Sequence, residues 1–195
     1  MNLPNKLTLI RIFMIPLFVA VFYLDVIPFN FCIAGAIFAL AAFTDFLDGH
    51  IARKYNLVTD FGKFLDPIAD KVLVSTALIV MLVPPTGAQI LSAFAPAFIG
   101  AICVAIILAR ELIISGFRLV AANKGMVIAA DKSGKIKTFA TDVAILILLV
   151  SANLSGTAFT IVNIAGLVLF YLSTALTVYS GVECMVKNKG VISSK

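Results

Sequence analysis

Four aspartates carry the chemical interest of this chain: Asp45, Asp48, Asp66 and Asp70. Asp45 and Asp48 stand at i, i+3, and Asp66 and Asp70 at i, i+4, so on helices each pair occupies one face. A single short segment joins the pairs, which lets the two faces meet. Four carboxylates gathered without compensation repel one another, and hard divalent cations with oxygen ligands relieve this. Two such ions bridged by carboxylates can clamp a phosphoryl group for in-line displacement. Near the acids stand Gly49 and Gly62, where a ligand can approach the backbone closely, and Arg53, whose planar fork suits phosphate. The plain alternative is a solvated acidic loop balanced by Arg53, Lys54 and Lys63, but such a loop needs no helical registration beside apolar runs.

The elements that must hold these acids are membrane helices. Of 195 residues, 62% are hydrophobic and 13% charged, against about 45–50% and 25% in soluble domains. So short a soluble chain has too little interior for that much apolar surface. A cytosolic globular domain, a disordered chain and a disulfide-stapled module are therefore excluded. Unbroken apolar runs such as 101–108 and 143–150 stand in place of the alternating strands of a membrane barrel. Cys32, Cys103 and Cys184 are odd in number and lie in or beside apolar runs, so they read as packing residues. The expectation is an all-α integral membrane protein with six transmembrane helices in a single domain over residues 1–195. A span needs about 20 apolar residues, and candidates run near 7–24, 27–46, 68–83, 94–114, 136–152 and 159–182. Turn chemistry falls at Pro28-Phe29-Asn30, Pro84-Pro85-Thr86-Gly87 and Asn153-Leu154-Ser155-Gly156.

The 15 Lys and Arg residues give the orientation. Lys6 and Arg11 lie at the amino end. Arg53, Lys54, Lys63 and Lys71 lie between or beside spans two and three, and Arg110, Arg118, Lys124, Lys132, Lys135 and Lys137 between or beside spans four and five. Lys187, Lys189 and Lys195 close the chain. The other three loops hold none, and positive loops are cytoplasmic. Both termini and the acids are thus expected on the cytoplasmic side, around a polar active-site cavity facing the cytoplasm. Of the acids, Asp25 alone falls outside. The net charge of +5 also suits anionic headgroups. No basic stripe carries interleaved aromatics, so nucleic acid is not an expected partner. Lys6 and Arg11 ahead of an apolar stretch loosely fit a signal peptide, but no small-x-small cleavage site closes it, and it reads as a retained first span.

Asp45-x-x-Asp48-Gly49-x-x-Ala52-Arg53, then eight residues, then Gly62-x-x-x-Asp66-x-x-x-Asp70 resembles the signature of the CDP-alcohol phosphatidyltransferases at every specified position and gap. Pro4-Asn5-x-Leu7-Thr8-x-x-Arg11 is similar to that family's first helix. Arg110-Glu111-x-x-x-Ser115-Gly116-x-Arg118, followed by Ser133-Gly134-Lys135-x-Lys137-Thr138, resembles the branch that makes phosphatidylglycerophosphate. The likeness reaches spans one to five.

The resemblance implies phosphatidyl transfer from CDP-diacylglycerol to sn-glycerol 3-phosphate with release of CMP, assisted by two divalent metal ions, Mg²⁺ or Mn²⁺. It implies Asp45, Asp48 and Asp66 as metal ligands, and Asp70 as general base for the acceptor hydroxyl and a further ligand. It implies a CDP-diacylglycerol pocket from Asn5, Thr8, Gly49, Ala52, Arg53 and Gly62, with helix packing the rival role for Ala52 and capping for Asn5. It implies that Arg110, Arg118 and Lys135 hold the acceptor phosphate, with Glu111 orienting Arg110. Lys124 and Lys132 read as topology charges, and Lys137 fits either role. His50, the sole histidine, falls at a variable signature position and Asp60 in the spacer, and neither is expected in the chemistry. A homodimer in the lipid bilayer of a bacterial cytoplasmic membrane completes the expectation. Inositol phosphate, serine or phosphatidylglycerol is the rival acceptor. The rival class is a divalent-cation transporter, which would place its acids nearer the midplane and serve both sides.

Overall fold

A computed structural model describes residues 3–54, 60–85, 88–126 and 132–190, with side chains described except at 3–5, 45–54, 60–64, 66–67, 70 and 132. The described residues form six helices and no strand: α1 (Leu3–Tyr23), α2 (Asn30–Lys54), α3 (Asp60–Leu82), α4 (Ala97–Asn123), α5 (Lys132–Ser151) and α6 (Gly156–Lys187). A helix satisfies its backbone hydrogen bonds internally, which is what a segment surrounded by hydrocarbon requires.

The helices outrun the apolar stretches that announce them. α2 continues to Lys54, α4 to Asn123 and α6 to Lys187, whereas hydropathy ends those spans near 46, 114 and 182. Hydrocarbon thickness limits the apolar run, not the helix. α4 also starts at Ala97 rather than near 94, because Pro96 caps it with extended backbone (ψ 137°) and disfavours helical backbone in the residue before it. Among the described residues, three helices have stretches long and apolar enough to cross a membrane: Lys6–Tyr23, Ala97–Asn123 and Gly156–Lys187. The apolar parts of α2 and α3, Asn30–Thr44 and Lys71–Leu82, are shorter. Those two helices give their remaining turns to the acidic segment.

Consecutive helices run antiparallel. α1 lies along α2 and α5 along α6, α4 packs on α6, α2 on α5, and α3 touches α1, α2, α4 and α5. The core is built from Phe18, Phe22, Phe38, Leu73, Leu78, Leu148 and Phe170, all buried. Large apolar side chains also cover the outside of every helix: Phe13 is 73% exposed, and Leu40, Val72, Leu112, Phe139 and Leu172 are likewise exposed. Polar residues sit inside instead, including Arg11, Lys137, Thr141, Asn163, Thr177 and Ser180. A soluble surface rarely carries such contiguous apolar area, so the outer face is a lipid face. Small residues let the helices approach. A Cβ on Gly166 would lie 2.8 Å from Leu148 Cγ, so only glycine permits this contact between α6 and α5.

One end of the bundle is closed by side chains that cap backbone groups. Asn30 Nδ2 donates to the Phe22 carbonyl at 3.1 Å, and the Cys32 N–H donates to Asn153 Oδ1 at 2.8 Å. Tyr23 OH donates to the Val83 carbonyl at 2.7 Å, and Asn163 Nδ2 to the Ile90 carbonyl at 3.1 Å. These bonds satisfy groups that helix ends and loops leave open. The expected turns at 28–30 and 153–156 fall here, with Phe29 at φ 57° and Gly156 at φ 59°. Pro84 and Pro85 follow α3 as expected, while Thr86 and Gly87 lie outside the described residues.

Candidate functional site

The candidate site lies at the opposite end. α2 carries Asp45 and Asp48 in its last turns, and α3 carries Asp66 and Asp70 in its first half. Both pairs fall on continuous helix, as their spacing requires, and α2 and α3 are in contact. Gly49, Ala52 and Arg53 follow on α2, Gly62 precedes the second pair on α3, and Asn5 lies within the first turn of α1 rather than ahead of it. The side chains of Asn5, Asp45, Asp48, Ala52, Arg53, Asp66 and Asp70 lie outside the described residues.

α1 steadies this region. Arg11, counted in the sequence as a flanking charge, is 0% exposed, and its Nε donates to the Ala41 carbonyl at 3.2 Å. Thr44 Oγ1 donates to the same carbonyl at 2.7 Å. Ala41 is i−4 to Asp45, so Arg11 grips α2 one turn ahead of the first acid. Thr8, one turn before Arg11 and expected in the donor pocket, is fully buried.

Beside the acids, α3, α4, α5 and α6 share a polar network. Lys71 Nζ of α3 donates to Ser115 Oγ of α4, which in turn donates to the Glu111 carbonyl. Glu111 Oε1 accepts from Lys137 Nζ of α5 and from Arg110 Nη1, the latter at 3.2 Å. Arg110 Nη2 donates to Ser180 Oγ of α6 at 2.8 Å. At the rim, Glu183 accepts from Ser133 Oγ at 2.7 Å and from Lys187 Nζ at 2.6 Å. A cavity of about 40 Å³ opens within the network, with Lys71, Ser75, Glu111, Lys137, Thr138 and Thr141 as its polar lining. That volume admits ordered water, and these groups supply its partners.

The three residues expected to hold an acceptor phosphate separate here. Arg110 is 13% exposed and tied into the network, whereas Arg118 and Lys135 are exposed. Arg118 stands eight residues beyond Arg110 on α4, about 12 Å along the axis. Conversely, Lys137 is only 6% exposed and belongs to the network, so it is more than a topology charge. Lys71 and Ser180 enter it without any signal at sequence level beyond a basic flank and a small polar residue on an apolar helix.

Among the described side chains, no three of His, Cys, Asp and Glu gather closely enough to hold a metal ion. The metal expectation therefore rests on the acids of α2 and α3. Carboxylates carried by two touching helices are hard oxygen donors, the chemistry that suits a divalent metal ion.

A family model described as CDP-alcohol phosphatidyltransferase matches residues 1–179. The CDP-diacylglycerol–glycerol-3-phosphate 3-phosphatidyltransferase of Bacillus subtilis (strain 168) is 42% identical to this chain, across 96% of it and 95% of the relative. The protein of the same name from Rickettsia felis is 37% identical, across 92% and 91% of the two chains. That from Salmonella typhimurium is 36% identical, across 97% and 96%.

Proposed function

Because this chain belongs to the CDP-alcohol phosphatidyltransferase family, we propose that it transfers the phosphatidyl group of CDP-diacylglycerol to sn-glycerol 3-phosphate, giving phosphatidylglycerophosphate and CMP. The observation that carries this reading is the near full-length likeness to relatives bearing that activity in their names.

The acceptor hydroxyl oxygen attacks the phosphorus that bears the diacylglycerol. The bond from that phosphorus to the CMP oxygen breaks, and the electron pair leaves with CMP. Asp70 takes the hydroxyl proton as general base. The family generally uses divalent metal ions. Asp45, Asp48, Asp66 and Asp70 would hold two of them, Mg²⁺ or Mn²⁺, which when bound neutralise the diphosphate and the departing CMP. Asn5, Thr8, Gly49, Ala52, Arg53 and Gly62 form the donor pocket, with Thr8 buried on α1. Arg110 fixes the acceptor phosphate, while Arg118 and Lys135, exposed at the rim, draw the dianion in. Most of the acceleration comes from positioning and charge neutralisation.

All six helices span the membrane, both termini face the cytoplasm, and the site opens to that side. In support, Lys6, Arg118, Lys124, Lys135 and Lys187 all gather at the end that carries the acids. The protein works as a homodimer in a bacterial cytoplasmic membrane, which rests on the family resemblance.

The test is CMP release by purified protein in detergent, supplied with CDP-diacylglycerol and Mg²⁺. Release is expected only with glycerol 3-phosphate present, and is expected to be lost in Asp70→Asn and on chelation, with return on adding Mg²⁺ or Mn²⁺. Release only with inositol phosphate, serine or phosphatidylglycerol would move the acceptor assignment. No release from folded, metal-loaded protein, together with metal flux in proteoliposomes, would replace the enzyme by a transporter.

A further inference from the structure

We infer that the cavity between α3, α4 and α5 seats the secondary hydroxyl of the acceptor, and that Ser75, Thr138 and Thr141 are the residues that recognise it. This rests on the proposed reading of glycerol 3-phosphate as acceptor, with Asp70 as its base and Arg110 on its phosphate. The cavity lies between those two ends. Its α3 wall begins at Lys71, the residue after Asp70, and its α4 wall ends at Glu111, the residue after Arg110. An acceptor with its attacking hydroxyl toward Asp70 and its phosphate toward Arg110 has one polar group left, the hydroxyl on its middle carbon. The cavity stands where that carbon would lie.

The lining suits an uncharged alcohol. Thr138 Oγ1 donates to the Gly134 carbonyl at 3.1 Å, and Thr141 Oγ1 to the Lys137 carbonyl at 2.9 Å. Each hydroxyl directs its proton to its own helix and keeps oxygen lone pairs, so both oxygens serve the cavity as acceptors. Ser75, at i+4 from Lys71 on α3, adds a hydroxyl able to donate or accept. The charged groups beside them are engaged with one another or with the bundle: Lys137 with Glu111, and Lys71 with Ser115. A lining that offers acceptors and donors together matches an alcohol, which needs one of each. The volume of about 40 Å³ holds a few waters, room for one carbon and its hydroxyl, and Val74, Ile107 and Leu108 give that carbon an apolar wall. An acceptor without the hydroxyl would leave these polar groups facing nothing, which is how such a site discriminates.

The test removes the hydroxyl from the substrate and its partners from the protein in turn. Full-length wild type, Ser75→Ala and Thr141→Val in detergent are each given CDP-diacylglycerol, Mg²⁺ and one of two acceptors. One is glycerol 3-phosphate. The other is propane-1,3-diol monophosphate, which keeps the phosphate and the attacking hydroxyl and lacks the secondary one. CMP release gives kcat/KM for each acceptor. Wild type is expected to prefer glycerol 3-phosphate by about tenfold or more. Each variant should cut that preference by at least about threefold, since the substrate hydroxyl and its partner are coupled. A merely structural role would lower both acceptors together and leave the preference intact. Ser75→Ala only deletes an oxygen and favours helix, so it decides alone if Thr141→Val does not fold. A reduced preference in either variant supports the inference and names the partner. A wild-type preference under about twofold, or an undiminished preference in every folded variant, would overturn it. Wild-type protein that releases no CMP with glycerol 3-phosphate would sink the proposed function, and this inference with it. Normal wild-type release without the preference sinks this inference alone.

Discussion

Gly166 and Gly181 lie on one buried stripe of α6, and one added methyl at each is expected to have opposite consequences. They are fifteen residues apart in sequence, about 22 Å along the helix. At position 166 the new Cβ would stand 2.8 Å from Leu148 Cγ, 2.9 Å from Leu148 Cδ2 and 3.1 Å from Ile147 Cγ2. Carbon atoms in contact prefer about 3.5–4.0 Å, so the overlap approaches about 1 Å. Leu148 is fully buried and has nowhere to turn, so α5 and α6 must separate. Overpacking of this kind costs about 1–3 kcal/mol, against a gain of up to about 1 kcal/mol from replacing glycine in a helix. Gly166→Ala should therefore lose about 1–2 kcal/mol, a fall of about 2–8 °C in thermal midpoint, with both KM values unchanged. At position 181 the nearest atom is Arg110 Cγ at 3.1 Å, then Nε at 3.5 Å. That side chain can yield by a few tenths of an ångström, so stability should hold to within about 2 °C. The displacement stretches the 3.2 Å contact between Arg110 and Glu111, and KM for glycerol 3-phosphate should rise about 3–10-fold. Thermal melts in detergent and CMP release read the two effects. A raised acceptor KM in Gly166→Ala without a fall in midpoint would refute this division of the stripe. So would a large fall in midpoint for Gly181→Ala with an unmoved KM.

Two further outcomes are expected. Asn153→Leu removes the acceptor for the Cys32 N–H, now at 2.8 Å. It should cost about 0.5–2 kcal/mol, as loss of a helix cap does, measured as a lower thermal midpoint with both KM values kept, because the bond lies at the far end from the acids. Single cysteines at Asp25 and Lys189, placed in a chain whose own Cys32, Cys103 and Cys184 are replaced, report orientation. An impermeant maleimide should label Asp25→Cys on intact cells and Lys189→Cys only after permeabilisation, and the reverse pattern would invert the topology.

Several features of this protein are legible in one dimension because each depends on local chemistry. Apolar runs of about twenty residues mark helices, since a backbone in hydrocarbon has no other partner for its polar groups. Pro28, Asn30, Asn153 and Gly156 mark turns, since at the boundaries of apolar runs they break or cap a helix. The spacing of Asp45 with Asp48 and of Asp66 with Asp70 places each pair on one helical face, and the helices α2 and α3 run through both pairs.

Other features belong to the tertiary structure alone. Arg11 and Lys137 look like flanking charges in a count of basic residues, yet both are buried, one on the Ala41 carbonyl and the other on Glu111. Arg118 and Lys135 look equivalent to Arg110, yet they are exposed while Arg110 is clasped by Glu111 and Ser180. The physical reason is that hydropathy and spacing describe one helix at a time. What neutralises a cation is decided by the faces that different helices turn toward one another. Here the contacts of α3 with α4, of α4 with α6 and of α5 with α6 bring Lys71, Glu111, Lys137 and Ser180 into one network from positions far apart in sequence.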